Sequence, residues 1–274
     1  MATGIFSDLG RKAKDLLFND YYNDKIFTFT TCSSTGFAVT SSGTKTDEMF
    51  VADVSTQLKN KNITADIKVD TNSNLFSTIT VNGPAPGVKA FFSFIVPEKT
   101  SGKVELQYLH NRGSISSSIG LKAYPVVSLS GVLGTDIFAA GADLSFDTNL
   151  KTLSQLNVGL SFVIDNLIGA LTLNDKGDAM DASFYHAINP STNTALGVDI
   201  SRKFSTDETT ITLGAQHALN PLTTVKARIT NSLKASALIQ HKWRLKSLLT
   251  ISGEVDIRAI ERSPKVGLGL VLNL

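Results

Sequence analysis

Positively charged side chains recur at alternate positions within apolar stretches of this 274-residue chain. Lys226 and Arg228 alternate with aliphatic residues over 225–229, and Lys68 does so over 63–70. Successive side chains of an extended chain point to opposite faces, so these stretches carry charge on one face and aliphatic groups on the other. Charges fixed along a face act on nearby ions through their field, without making or breaking bonds.

Side chains that commonly perform bond chemistry stand apart from the companions that they would need. No histidine has a second histidine or a cysteine at metal-ligand spacing, and no nucleophile-elbow or phosphate-loop motif occurs. Cys32, the one cysteine, is interpreted as a buried or half-buried structural thiol because no activating base is near it in the sequence. The histidines are interpreted as strand or interface residues: His110, His186, His217 and His241. We therefore expect no enzyme activity, no metal site and no cofactor.

The composition narrows the class of protein. A net charge of +2 and a pI near 8.5 argue against a dedicated nucleic-acid binder, which usually has a clustered basic patch and a pI above about 9. No apolar run reaches the roughly 18 residues that a membrane-spanning helix needs. Charged residues interrupt the stretch 5–18, so we expect no secretory leader there.

Residues 5–18 form the one convincing helical pattern. Apolar residues fall at helical spacing on one side, and charged residues occupy the other. Gly10 weakens this helix by about 1 kcal/mol relative to alanine. The plain interpretation is a terminal helix packed on the surface of a domain.

From Lys25 onward, runs with a two-residue period alternate with turns of Gly, Asn, Asp, Ser and Pro about 11 to 15 residues apart. A transmembrane strand takes about 9 to 11 residues and a hairpin loop about 2 to 5, so the chain after the helix makes about 19 such units. We divide the chain into a helix with its linker, 1–24, and a β-domain, 25–274. The closing run places its aliphatic residues on one face: Val266, Leu268, Leu270, Leu272 and Leu274.

Two architectures fit such a meander. A soluble sandwich or propeller turns its apolar face inward and usually has strands of about 5 to 6 residues. A transmembrane barrel turns its apolar face to lipid and its polar face to an aqueous lumen, with every backbone group paired around the ring. Mid-strand charges favour the barrel. So do the aromatic residues near strand ends, which suit a membrane interface: Tyr124, Tyr185 and Trp243.

Four stretches of the sequence match one known family. They are GIFSDLGRKAKDLL (4–17), KTDEMFVADV (45–54), HALNPLTTVKARITNSLKASA (217–237) and KVGLGLVLNL (265–274). In these stretches, and from end to end, the chain resembles the eukaryotic mitochondrial porins, the voltage-dependent anion-selective channels, and most of all their plant members. Asn220 departs from the aspartate usual in the family, at a turn where the fold should not change.

The resemblance implies an all-β transmembrane barrel of about 19 strands in the mitochondrial outer membrane. First and last strands would be parallel, and the short N-terminal helix would lie in the lumen. It also implies a voltage-gated, weakly anion-selective channel through which small hydrophilic solutes and metabolites diffuse. Expected partners are membrane lipid, small anions and metabolites including nucleotides, cytosolic proteins such as hexokinase, and a second copy in a homo-oligomer. No specific nucleic-acid site is expected.

Inward and outward positions alternate along each strand, and we call this alternation strand parity. Strand parity and the resemblance together assign candidate residues to the lumen. The pore-lining cations are Lys68, Lys89, Lys122, Lys226, Arg228 and Lys242. The gating helix contributes Phe6, Leu9, Arg11, Lys12, Ala13, Lys14 and Leu16. By resemblance, Gly87 and Lys89 match a nucleotide-associated stretch, and Ile67 stands where some animal members carry a lipid-facing glutamate. Inward acids offset part of the positive charge, so selectivity should be weak: Asp66, Asp70, Glu105, Glu254 and Asp256.

Rival interpretations stay open at this point. The related protein-import translocase barrel shares the architecture but would have a longer polar N-terminal extension and an acidic lumen. A soluble β-sheet protein that binds carbohydrate or protein would be soluble without detergent. A bacterial porin is disfavoured by the missing signal peptide.

Overall fold

The structure is a computed structural model that describes residues 4–33, 36–46, 49–98, 100–244, 247–259 and 264–273. The described chain forms one α-helix, α1 (Arg11–Phe18), short 3₁₀ turns at Phe6–Asp8 and Asp175–Gly177, and nineteen strands. Leu274 of the closing run lies outside the described residues. The strands are β1 (Lys25–Cys32), β2 (Phe37–Thr46), β3 (Met49–Asn60), β4 (Ile63–Asp70), β5 (Leu75–Asn82), β6 (Val88–Val96), β7 (Lys103–His110), β8 (Gly113–Gly120), β9 (Val126–Gly134), β10 (Phe138–Asp147), β11 (Thr152–Ile164), β12 (Leu167–Asn174), β13 (Ala179–Asn189), β14 (Thr194–Lys203), β15 (Glu208–Asn220), β16 (Thr223–Thr230), β17 (Lys234–Arg244), β18 (Ser247–Asp256) and β19 (Lys265–Asn273).

Every strand pairs with two neighbours, and the sheet closes on itself. Consecutive strands are antiparallel, as in β1 with β2 and β18 with β19. An odd number of alternating strands leaves the first and last pointing the same way, and β1 and β19 pair in parallel, with Lys25 opposite Leu268. Closure removes the sheet edges, so that backbone groups are paired around the ring. The predicted nineteen-stranded barrel is confirmed. The prediction that Cys32 is buried or half-buried was wrong, because it is the last residue of β1 and is exposed there.

The outer face of the barrel is apolar and the inner face is polar. Ile67, Phe138 and Ile251 are 39%, 49% and 43% exposed on the outside. On the inside, Lys68 pairs with Asp53 at 3.2 Å. Apolar residues outside and polar residues inside are the reverse of a soluble protein, and this arrangement suits lipid around the barrel and water within it.

The N-terminal helix is shorter than the predicted stretch 5–18. It breaks at Gly10, whose φ of +72° is left-handed, and α1 begins only at Arg11, so that Leu9 lies outside it. The Asp8 carboxylate accepts hydrogen bonds from the Ile5 backbone N–H and the Arg11 guanidinium, both at 3.0 Å, across the break. Among the described residues, no helix is both long and apolar enough to cross a membrane.

An arginine at position 251 should destabilise the barrel, because this outward side chain would place a charge in hydrocarbon. We expect Ile251→Arg to cost about 2 to 4 kcal/mol near the membrane midplane, measured by urea unfolding in lipid vesicles. Ser130→Arg is the matched control, since Ser130 lines a polar groove of the interior, and it should change stability by about 0.5 kcal/mol or less. Equal losses would contradict the assignment of faces.

Candidate functional site in the barrel interior

The N-terminal segment, residues 4–24, lies along the inner wall of the barrel. Its helix α1 contacts β13, β14, β15 and β16, and the 3₁₀ turn before it contacts β9 and β10. Leu16 and Leu17 are fully buried in one cluster with Ala195 of β14, and Ala13 is buried as well. The wall therefore covers the apolar face of the helix, and the prediction that the helix lies in the lumen is confirmed.

Inward-facing glycines let the N-terminal segment approach the wall closely. A Cβ atom at Gly159 of β11 would lie 2.7 Å from Leu9 Cδ1 and 3.3 Å from the Phe6 ring, so a larger residue would displace the segment. A Cβ atom at Gly214 would likewise lie 2.6 Å from Leu17 Cδ2. Sequence reasoning missed this docking surface. Its signal was available, since a glycine weakens a strand interior and often marks a close approach of another part of the chain.

Lys226 and Arg228 bind the C-terminal end of α1. Arg228 Nη1 donates to the Leu17 carbonyl at 2.9 Å, and Lys226 Nζ donates to the Asp15 carbonyl at 3.4 Å. Lys226 also pairs with the Asp20 carboxylate at 3.0 Å. The last carbonyls of a helix lack intrahelical partners and carry partial negative charge, so these two cations satisfy and neutralise them.

Arg228 joins this helix end to β18, two strands along the wall, and to the linker. Its Nη2 atom lies 3.6 Å from Glu254 Oε2 of β18, and its guanidinium lies 4.3 Å from the centre of the Tyr21 ring. Burial raises the pKa of Tyr21 to about 12, although the Arg228 charge works in the other direction. The phenol therefore stays uncharged near neutral pH and serves as a stacking surface for the guanidinium.

The basic residues of α1 are held by the wall or by the segment itself. Lys14 Nζ lies 3.9 Å from Asp181 Oδ2 of β13, and Lys12 Nζ lies 5.9 Å from the centre of the Tyr185 ring. Arg11 pairs with Asp8, at 3.0 Å, and with Asp15. The prediction of Tyr185 as an interfacial aromatic was wrong, because its parity on β13 and the packing of α1 place it on the inner wall.

The predicted pore-lining cations separate into two groups. Lys226 and Arg228 face the interior but are covered, with side chains only 9% and 17% exposed. The other four are exposed on the inner side or at its rim: Lys68 on β4, Lys89 on β6, Lys242 on β17, and Lys122. Lys122 lies in the turn after β8 rather than on a strand, beside a recess of about 230 Å³ that Lys103 also lines.

Gly87 has a structural explanation that needs no ligand. It lies in the turn before β6 at a φ of +77°, and its carbonyl accepts a hydrogen bond from the Leu109 backbone N–H at 2.8 Å. A Cβ atom there would collide with the Leu109 carbonyl. Nucleotide contact by Gly87 and the exposed Lys89 stays a prediction.

A polar groove of about 360 Å³ runs beside the N-terminal segment along the inner faces of β7 to β11. Hydroxyl groups dominate its lining. The Glu105 carboxylate accepts a hydrogen bond from the Gln107 amide and forms an ion pair with Lys103. No cluster of metal-ligating side chains occurs within the described residues. The groove offers water and small polar solutes a hydrogen-bonding surface. Its lining serines are Ser7 of the N-terminal segment and, on the strands, Ser116, Ser118, Ser128, Ser130 and Ser145.

A closed barrel with an apolar exterior, a polar interior and a helix docked inside is the architecture of a channel protein. A family model described as eukaryotic porin matches residues 2–267, and the chain belongs to the eukaryotic porin family. It forms a channel through which solutes diffuse across an outer membrane.

Several plant proteins are similar to the chain over 269 residues, or 98% of its length and 98% of theirs. It is 67% identical to the outer plastidial membrane protein porin of Pisum sativum. It is 60% identical to the mitochondrial outer membrane protein porin of 36 kDa of Solanum tuberosum, and 51% identical to the mitochondrial outer membrane protein porin 1 of Arabidopsis thaliana. Among solved structures, a triple mutant of the Rhodopseudomonas blastica porin has a TM-score of 0.49 and 9% identity, covering 84% of this chain and 89% of that one. The mitochondrial outer membrane predicted from the sequence agrees with the potato and Arabidopsis names.

Replacing Lys226 should loosen the docking of α1, because the carbonyl of Asp15 and the carboxylate of Asp20 would lose their cation. A hydrogen bond to a charged group contributes about 1.5 to 3 kcal/mol, so we expect amide hydrogen exchange of residues 11–18 to be about tenfold faster or more in Lys226→Met. Lys89→Met is the matched control, because Lys89 lies on the inner wall of β6, remote from the strands that contact α1. Unchanged exchange in Lys226→Met would show that the pair does not hold the helix.

Proposed function

We propose that the protein is a voltage-responsive, weakly anion-selective channel of the mitochondrial outer membrane for small hydrophilic metabolites, nucleotides among them. The observation that carries the proposal is the docked N-terminal segment, which places a charged helix against the inner wall of an otherwise polar lumen. The weakness of the selectivity follows from the mixture of signs on that wall. Lys68 faces Asp53 and Lys103 faces Glu105, so the excess positive charge is small.

The voltage response is limited by how firmly the segment is held. Residues 4–18 contain three basic and two acidic side chains, a net charge of +1. Moving one charge through the whole membrane field is worth about 2.3 kcal/mol per 100 mV, so about 50 mV supplies roughly 1.2 kcal/mol. One hydrogen bond to a charged group already contributes about 1.5 to 3 kcal/mol. Voltages of this size therefore do not release the end of α1 that Lys226 and Arg228 hold, and closure involves the part of the segment before Gly10, or the wall, instead.

Selectivity comes from the exposed cations rather than from the covered pair. The Debye length is about 8 Å at physiological ionic strength, so each charge acts only on the solution near it and no single lysine makes the channel strictly selective. Lys89 and Lys122 are both exposed to the interior or its rim. The Arg228 guanidinium is already engaged, because it donates to the Leu17 carbonyl and pairs with the Glu254 carboxylate.

Planar-bilayer recording of refolded protein in a KCl gradient tests the selectivity. We expect Lys89→Glu with Lys122→Glu to move the reversal potential toward cation preference, because two positive charges beside the solution become negative, and more so at 0.1 M than at about 1 M salt. Lys45→Glu is the matched control, since Lys45 of β2 lies opposite Lys25 and Phe50 on the outer face of the barrel, and it should leave the reversal potential unchanged. A reversal potential that stays fixed in a conducting double variant would contradict the assignment, and no conductance in the unaltered protein would contradict the channel itself.

The same recordings test the gating role of the N-terminal segment. Deleting residues 1–20 removes α1 while leaving every strand, so we expect pores that still insert but close at a different voltage. The expected cause is the loss of the part before Gly10, whose 3₁₀ turn contacts β9 and β10, together with the contacts by which α1 supports the wall of β13 to β16. Closure that is identical in voltage and in conductance would place the gate elsewhere in the barrel.

A further inference from the structure

A band of polar side chains crosses the lipid-facing surface of five consecutive strands. The outward positions beside it are apolar, for example Leu196 on β14, Leu213 on β15 and Ile239 on β17, which are 45%, 48% and 40% exposed. We name the following five residues the polar band: His186 on β13, Thr194 on β14, His217 on β15, Thr223 on β16 and His241 on β17.

The polar band lies at one level near one rim of the barrel. Each of its histidines stands three residues before the last residue of its strand, at Asn189, Asn220 and Arg244, and β13, β15 and β17 run in the same direction. Its two threonines are the first residues of β14 and β16, which begin at this rim. The three histidines therefore occupy equivalent positions on alternate strands.

Hydrogen bonds fix the rings within the band. His217 Nδ1 lies 2.8 Å from Thr194 Oγ1, and His241 Nδ1 lies 3.0 Å from Thr223 Oγ1. Each bond uses one ring nitrogen. Within the described part of the chain, neither Nε2 atom has a hydrogen-bond partner, so each imidazole keeps one polar atom for a group outside the protein.

The surroundings of the band identify the level of the membrane that it meets. Each histidine of the band is followed, two residues later, by an exposed apolar residue at a β-bulge. These residues are Ile188, Leu219 and Trp243, which are 51%, 62% and 72% exposed. Tryptophan is enriched where the apolar part of a membrane gives way to headgroups. Polar groups at this depth cost free energy unless they find partners, and the polar groups available at this depth belong to the lipids.

The charges around the band favour an anionic partner. Among the side chains that the structure describes, the outward positions of β12 to β18 hold no carboxylate, and Arg202, the one basic residue there besides the histidines, lies toward the opposite rim and pairs with Asp207. Of the described turns at this rim from β11 to β18, only the one between β11 and β12 carries a carboxylate, Asp165. Lys242 alternates with His241 and faces inward. Histidine gains positive charge between pH 8 and pH 5.

We propose that the polar band binds the headgroup phosphate of anionic phospholipids in one leaflet, more strongly as its imidazoles gain protons. The Nε2 atoms donate to phosphate oxygens, and the threonines hold the rings through Nδ1. Acyl chains then lie along the apolar residues below the band. The partner is a lipid rather than a protein, because the band is a single polar row bordered on both sides by exposed apolar residues.

The chain contains one tryptophan, Trp243, which reports on the lipid beside the band. The protein is reconstituted in phosphatidylcholine vesicles with 20% phosphatidylglycerol, and either one or the other lipid is brominated so that it quenches tryptophan fluorescence. At pH 5.5 we expect quenching to show phosphatidylglycerol enriched about threefold or more beside Trp243, which is modest for up to three charges at a lipid surface. Enrichment should be smaller at pH 7.5. Inorganic phosphate in the buffer should leave it in place.

The triple variant His186→Gln, His217→Gln, His241→Gln should reduce the enrichment to about onefold and remove its pH dependence, because glutamine gains no charge. His110→Gln is the matched control, since His110 also faces outward at this rim, but on β7, and it should behave as the unaltered protein. Quenching by each brominated lipid in proportion to its share of the membrane, at both pH values in the unaltered protein, would overturn the proposal, whether or not the triple variant folds. Protection of Trp243 from both lipids would overturn it too, because a second protein would then cover the band.

Discussion

Hydrogen bonds between the parallel strands β1 and β19 close the barrel, and the position of every other element depends on that closure. The pairing begins where the Leu268 backbone N–H donates to the Asp24 carbonyl at 3.1 Å, one residue before β1 starts at Lys25. Ser252 of β18 donates to the Tyr22 carbonyl beside the same seam. The linker is thus bound to the inner side of the seam, so the N-terminal segment enters the lumen rather than lying on the outer surface.

Closure also explains why the interior can hold charge at modest cost. In a membrane no unpaired backbone group is tolerated, and a complete ring satisfies that requirement with backbone bonds alone. The inward side chains are then available for water, for each other, and for the docked helix. Lys68 with Asp53 and Arg228 with Glu254 show that many of them are used in pairs, which leaves few cations to act on permeating ions. The Lys226 and Arg228 side chains hold a helix end, and this changes the role that strand parity alone gave them.

Much of the fold could be predicted from the sequence, because a two-residue period over a long meander has few solutions. The alternation along the strands correctly placed Ile67, Phe138 and Ile251 on the outer face of the barrel. Tyr185 was misplaced because its nearness to a strand end was used instead of its parity with the inward Asp181, and an aromatic residue near a strand end suits both a membrane interface and the inner wall. The effect of Gly10 on the helix is larger than the sequence predicts. A propensity cost of about 1 kcal/mol applies to a glycine inside a continuous helix, whereas here Gly10 has a left-handed φ and α1 begins only after it.

The candidate site was harder to predict than the fold. Parity assigned Lys226 and Arg228 to the interior, but it carries no information about what covers them. That cover is a segment about 210 residues away in the sequence, whose docking depends on shape as well as on charge. The glycines that admit it, such as Gly159 and Gly214, indicate in the sequence that something approaches these strands closely, but they do not show which segment does so. The polar band is similar, because its three histidines are scattered in the sequence and align only through the register of β13 to β17.

The most direct test of an aqueous interior within an apolar exterior is the reactivity of single cysteines along β4 in a Cys32→Ser background. Cysteines are placed one at a time at positions 63–70 of the protein in lipid vesicles, and their reaction with a charged, water-soluble thiol reagent is measured. We expect fast reaction at positions 64, 66, 68 and 70, whose side chains face the lumen with Asp66 and Lys68, and slow reaction at 63, 65, 67 and 69. Equal reactivity along the strand, or fast reaction at the position of Ile67, would contradict this arrangement of faces.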